Sequence, residues 1–317
     1  MTPTSLLRRA RPARVALCAT AVAAAAAGTA PAAFAAPADV TGGSLEWSQA
    51  NVYELGPGGP KTWLGYVTSS PPLANGTASA TAPATGTEVT PSSPKGATAL
   101  YTFTYPANDG SYDRATRTGT VRTKGTVTFA STMHRFTITV TDPVVALNGT
   151  TGTLSATGQG GASGQTPYTA DQPLFNLDLS GATVTEPSPG TQRIEGIVPA
   201  LATADTAFPA AYQVGAGPDR TPNTFGSFSL TVSTPIEGRI RTQRKRRVVV
   251  VSSDLSSLSA RGTRVTLSTA SSRKRIARGT ITGQRLTLRL GKGRTLKPGG
   301  YRIWGAGDQP ITIAISR

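Results

Sequence analysis

His134-Arg135-Phe136-Thr137-Ile138-Thr139-Val140-Thr141-Asp142-Pro143 is the most regular stretch of the chain. His134, Phe136, Ile138 and Val140 fall on one side of an extended backbone, and Arg135, Thr137, Thr139 and Thr141 on the other. A period of two with β-branched residues marks a strand with one face in a core, and Asp142-Pro143 is expected to break it. Upstream, Leu100 to Tyr105 puts Tyr101, Phe103 and Tyr105 on one face, and Val121 to Phe129 points Val127 and Phe129 inward. Downstream, Asn148-Gly149 marks a turn before Thr153 to Ala156. Gly158 to Gly164 reads as a flexible loop, and strands resume at Leu174 to Leu179 and Thr224 to Val232. Pro71 to Lys95, rich in Pro, Thr, Ala and Gly, reads as a long surface loop. No helical period stands out beyond the N-terminal region. The chain is therefore expected to be all-β, with an antiparallel β-sandwich as its main body.

Charge divides it. From Ala36 to Pro235 there are 9 Lys and Arg against 13 Asp and Glu, and from Ile236 to Arg317 there are 19 against 3. The net +16 of the tail module equals the net charge of the whole chain. A boundary is expected at Pro235, giving a main domain at 36–235 and a basic module at 236–317. The module reads as short strands at Arg247–Val251, Thr263–Thr269, Ile276–Thr282, Arg285–Leu290, Tyr301–Trp304 and Ile311–Ile315. A small immunoglobulin-like β module is the expected fold.

Residues 1–35 read as a secretory signal. Arg8, Arg9, Arg11 and Arg14 precede an apolar run from Val15 to Ala27, and Ala33-Phe34-Ala35 supplies small residues for cleavage. The run is shorter than the ~20 apolar residues a spanning helix needs. The expected location is secreted or attached to the cell wall. Cys18, the single cysteine, lies within the signal, so the mature chain is expected to have no disulfide and no thiolate chemistry.

Catalytic signatures are missing. There is one histidine, no G-x-S-x-G, no phosphate-binding glycine loop and no H-E-x-x-H. The expectation is a non-enzyme.

Three motifs occur in order. Leu45-Glu46-Trp47 is followed by Tyr53; Gly125-Thr126-Val127-Thr128-Phe129 is followed by His134 and the alternating strand; Phe208-Pro209-Ala210-Ala211-Tyr212-Gln213-Val214-Gly215 comes last. From about Gly43 to Val232 the chain thereby resembles the HtaA domain family of exported haem-binding proteins in Gram-positive bacteria. The resemblance implies an HtaA-like β fold, haem as cofactor, and a tyrosine on the iron with the histidine hydrogen-bonded to it. Tyr53 is the first candidate for the iron and Tyr66, in Trp63-Leu64-Gly65-Tyr66, the second. His134 is the supporting histidine, and Tyr212 joins the cofactor-binding set as a packing aromatic. A phenolate is an established haem ligand, and an outer partner would orient it. The plain alternatives are a core histidine bonded to backbone and tyrosines that only pack; Trp47 and Trp63 read as core.

Arg244-Lys245-Arg246-Arg247 and Arg273-Lys274-Arg275 exceed what solubility requires. In an exported protein nucleic acid is not the expected partner. Anionic cell-wall polymers are, through residues 236–317, alongside haem and haem-transfer proteins. The function implied is haem binding for acquisition or relay. The rival is a non-enzymatic surface or adhesion protein that reuses the fold without haem.

Overall fold

The computed structural model describes residues 37–51, 62–68, 75–90, 99–161, 166–202, 207–208, 225–258, 262–272, 274–306 and 310–317. The signal segment, Tyr53 and Tyr212 lie outside the described residues. The first part contains β1 (Ala38–Asp39), β2 (Gly42–Asn51), α1 (Trp63–Thr68), β3 (Gly76–Thr81), β4 (Thr85–Gly86), β5 (Ala99–Asp113), β6 (Thr118–Thr123), β7 (Thr126–Ser131) and β8 (Phe136–Asn148). It continues with β9 (Thr151–Gly160), β10 (Thr166–Tyr168), β11 (Pro173–Asp178), β12 (Thr183–Ser188), β13 (Thr191–Leu201) and β14 (Ser227–Ser233).

These strands close on themselves. The ring runs β8, β9, β11, β13, β14, β2, β5, β6 and back to β8, antiparallel at every step. A barrel thus replaces the expected sandwich. The physical reason lies in the long strands. β5 pairs with β2 through Ala99–Pro106, then with β6 from Ala107 onward, its register shifting between Ala107 and Asp109. β8 pairs with β7 through Thr141, then with β6 and β9 beyond the irregularity at Asp142-Pro143. Bulges bend a strand and raise its twist, and one bent strand can then belong to both layers. Alternation along a strand specifies an inner face but not which strands lie beside it.

The same bulge corrects the expected break at Asp142-Pro143: β8 continues through it. Asp142 takes φ of 50°. Its backbone N–H donates to Gly125 O (2.8 Å), and its carboxylate accepts from Gly125 N–H (2.9 Å) and Lys124 Nζ (2.6 Å). Partial burial pushes this carboxyl up, but those bonds and the Lys124 charge outweigh it and hold it below the usual range. The Pro71–Lys95 stretch is not wholly loop, since it contains β3 and β4 and buries Ala78 and Val89. β9 likewise extends through Gly160, inside the expected flexible loop. Val121 to Phe129 divides into β6 and β7 around Gly125, whose φ is 114°.

Trp47 sits inside the barrel with its ring 5.5 Å from Phe129, 5.8 Å from Phe175 and 5.2 Å from Phe228. Its indole N–H donates to Phe225 O at 2.7 Å, which satisfies a fully buried donor. On the outer face Arg193 of β13 spans β14 to grip Glu46 of β2 with both terminal nitrogens, at 3.1 and 2.8 Å.

After Thr234-Pro235 the chain enters a second sheet: β15 (Ile236–Arg244), β16 (Arg247–Val251), β17 (Thr263–Thr269), β18 (Arg275–Thr282), β19 (Arg285–Leu290), β20 (Gly299–Trp304) and β21 (Ile311–Ser316), with a 3-10 turn at Ser253–Leu258. This too is a closed barrel, ordered β15-β16-β19-β18-β17-β20-β21, rather than an immunoglobulin-like sandwich. Closure comes from a parallel pairing of β15 with β21, Ile236 opposite Ile313. No local pattern records such a long-range pairing. Its core is separate, built from Ile236, Val248, Leu267, Ile281, Leu288 and Ile303 among others.

Candidate functional site

The short helix α1 carries Tyr66. Thr62 caps it, its Oγ1 accepting from Gly65 N–H at 3.1 Å, and Tyr66 N–H makes the first helical bond, to Thr62 O at 3.0 Å. Trp63, Leu64, Gly65, Val67 and Thr68 are buried, so all of the helix but Tyr66 packs into the protein, against β2, β3 and β7. Tyr66 is the half-buried residue of the helix. Six residues are too few for a periodicity signal, so the sequence pattern does not disclose the element.

His134 is not within a strand. It lies in the turn Thr132–Arg135 between β7 and β8, and the strand starts at Phe136. Arg135, with φ of 53°, ends the turn, and His134 N–H donates to Ser131 Oγ at 3.2 Å. The hairpin nevertheless leaves the imidazole in the line of Phe136.

The structure brings Tyr66 and His134 together. Their rings are stacked, with centroids 4.6 Å apart and planes 16° from parallel. Phe136 lies 6.2 Å from each ring at 9° and 8°, so the three rings share one orientation. Beneath them Trp63 stacks at 5.8 Å on Tyr66 and 5.7 Å on Phe136, and meets Phe208 edge-on at 5.1 Å. Trp63, Phe129 and Phe208 are fully buried. The site is a polar pair on an aromatic floor that is continuous with the barrel core.

Two buried polar groups of the first barrel have no hydrogen-bond partners among the described residues. One is His134 Nε2 and the other is the Gln49 side-chain amide, on the strand face that also carries Trp47. Buried polar atoms are nearly always bonded, so each marks a position whose partner is supplied from elsewhere. Phe136 and Phe208 are additions to the expected set. Phe136 was visible in the alternating strand only as a core residue.

Tyr53 and Tyr212 cannot be set beside this pair, since both lie outside the described residues. No group of His, Cys, Asp and Glu that could hold a metal ion occurs among the described residues. A wide concavity is found elsewhere, on the outer face of the second barrel, and does not include Tyr66 or His134.

Comparison with known proteins gives one family. The HtaA family model matches residues 60–222, just over half of the chain. The C-terminal domain of HtaA from Corynebacterium glutamicum is similar in structure at 17% identity and a TM-score of 0.42, covering 62% of this chain and 98% of that one. No curated protein matches. The matched span is narrower than the motif-based 43–232, but it holds α1, the β7–β8 turn with His134, Phe136 and Phe208. The chain belongs to the HtaA family.

Proposed function

We propose that this is an exported, non-enzymatic haem-binding protein of the cell envelope, with Tyr66 on the iron and His134 supporting it. The observation that carries the reading is the Tyr66–His134 stack at 4.6 Å over a buried aromatic floor. Tyr66, rather than Tyr53, takes the iron because it lies inside the span matched by the family, shares that span with His134 and stands against it. Haem bound there would supply a ferric centre, for which a phenolate is a hard anionic ligand. The residues present fit such a group. Tyr66 is only half-buried, Trp63 and Phe136 give an apolar bed, and the buried His134 Nε2 has an unused hydrogen-bonding capacity. Leaving such a nitrogen unpaired costs about 1–3 kcal/mol, a cost that a ligand group in the plane of the imidazole would relieve. The face-to-face contact with His134 also restricts the Tyr66 ring. No helix among the described residues is long and apolar enough to cross a membrane. Handover of haem to or from partner proteins completes the proposal.

Haemin titration of the mature chain, followed by absorbance, is the test. A saturable spectrum with tyrosinate charge-transfer bands is expected, lost in Tyr66→Ala and kept in Tyr53→Ala. His134→Ala should weaken binding by ~10–100-fold, as outer-sphere changes do at metal sites. If Tyr53→Ala removes the bands and Tyr66→Ala keeps them, the assignment moves to Tyr53. If the wild-type chain gives no saturable spectrum, the reading as a surface protein without haem replaces this one.

A further inference from the structure

On the second barrel, the registers place arginines side by side across neighbouring strands. Arg244 of β15 faces Arg247 of β16, Arg247 faces Arg289 of β19, and Arg289 faces Arg278 of β18. Arg278 in turn faces Thr266 of β17. Directly opposed residues project from the same side of a sheet, so the four guanidinium groups form one row on the outer surface. All four arginines are exposed, and strands are spaced ~4.8 Å apart, so the row crosses four strands in about 14 Å. A second row beside it, Thr287, Thr280 and Arg264, adds hydroxyl groups. Both rows line the wide concavity on this barrel.

Like charges directly opposite one another on a sheet are destabilising. The usual remedy is an interleaved carboxylate, and among the described residues the row has none. None of the four arginines has an ion-pair partner among the described residues. The described acidic residues of this barrel, Glu237 and Asp254, lie in a different concavity beside Arg114, and Asp254 is bonded to Arg114 at 2.7 Å. A row of unneutralised, planar, five-donor groups is the arrangement that recognises oxyanions in series.

We propose that this face binds a linear polyphosphodiester whose backbone units are joined by polyol rather than by stacked bases, with successive phosphates on Arg244, Arg247, Arg289 and Arg278. Two observations select this occupant. Trp304 is the one aromatic side chain in line with the row, opposite Thr266 and half-buried, with its indole N–H donated to Ser268 Oγ at 2.9 Å. One half-buried indole, already tied to Ser268, is not the series of exposed aromatic faces on which successive bases of single-stranded nucleic acid stack. The large exposed apolar side chains among the described residues, Leu100, Met133 and Val184, all belong to the first barrel. The arginine face accordingly has no apolar wedge for a lipid bilayer.

The experiment uses the full mature chain with poly(glycerol phosphate) as the probe, binding being measured across a salt series. Saturable binding that falls steeply with salt is expected, since the attraction is screened over ~8 Å at physiological ionic strength. Arg278→Gln/Arg289→Gln should lose ~10-fold or more in affinity, because each removes a charge-assisted pair. Arg239→Gln/Arg294→Gln, with the same change of net charge on exposed positions outside the row, should stay within about twofold. The row variant should melt no lower than wild type, since it relieves repulsion, and this separates loss of a site from loss of the fold. Equal losses in the two variants would show that net charge alone acts, and would overturn the site. So would the absence of binding at low salt. Tighter row-dependent binding of duplex DNA or of phosphatidylglycerol vesicles would overturn the occupant.

Discussion

Gln49 alternates with Leu45 and Trp47 on the inward face of β2, and both ends of its amide are buried without partners among the described residues. A core built for stability alone would carry leucine or methionine there, because an unbonded buried amide costs about 1–3 kcal/mol. Gln49→Met should therefore raise stability by about 1–2 kcal/mol in the absence of haemin, read from a shift of the urea midpoint at unchanged slope. A fall in the midpoint would mean that the amide is satisfied in solution. His134 is the parallel case at the rim. Its ring is held by the Tyr66 stack and its backbone N–H by Ser131 Oγ, while Nε2 is left over. Unsatisfied atoms of this kind are invisible in a sequence, where Gln49 and His134 look like any polar residue at an inward position.

Among elements, the bulge in β8 decides how the first barrel closes. Asp142 takes a positive φ that aspartate tolerates better than most residues, and its carboxylate fastens Gly125, where the chain turns from β6 into β7. Asp142→Ala should destabilise by about 1–2 kcal/mol at neutral pH, from the lost bond to a backbone N–H and the poorer fit to that φ. Asp142→Asn should cost less, since its side-chain oxygen still accepts and the φ is kept. The carboxyl is held below its ordinary value, so its contribution is fully present above the unfolded value of ~3.9 and is lost as pH falls through the lower folded value. The gap between the wild-type and Asp142→Ala unfolding curves should therefore narrow below about pH 4, leaving the pH-independent cost of the positive φ. A difference that persists undiminished in acid would exclude the carboxylate as its source. The same element shows how far the sequence can be read. Period-two alternation located the first half of β8 and six of the seven strands of the second barrel, β15 being missed, because a strand's inner face is a local property. It could not locate α1, whose six residues span less than two turns, nor separate sandwich from barrel, because both expose the same alternation. The Tyr66–His134 pairing was legible only in part. The histidine and Tyr53 came from ordered motifs and Tyr66 as the next candidate along the chain, but which tyrosine meets the histidine depends on where α1 packs.

At the scale of the whole molecule, two barrels with separate cores are joined through Thr234-Pro235. They differ in how they close. The first closes through β8 and β9, neighbours joined by the tight turn at Gly149, whereas the second closes only when its last strand pairs with its first. β21 lies between β15 and β20 and buries Ile313 and Ile315, so without it two strand edges are bare and part of the inner layer is missing. Deleting residues 310–317 should then unfold the second barrel while leaving the first folded. The three tryptophans separate the two outcomes, since Trp47 and Trp63 are buried in the first barrel and Trp304 belongs to β20. In a nitrogen–proton NMR spectrum, the indole signals of Trp47 and Trp63 should keep their native positions and that of Trp304 should collapse to the unfolded value. Haemin binding should survive the truncation, and salt-sensitive polyanion binding should not. If all three indole signals move together, the two barrels fold as one cooperative unit and the separate cores are not independent.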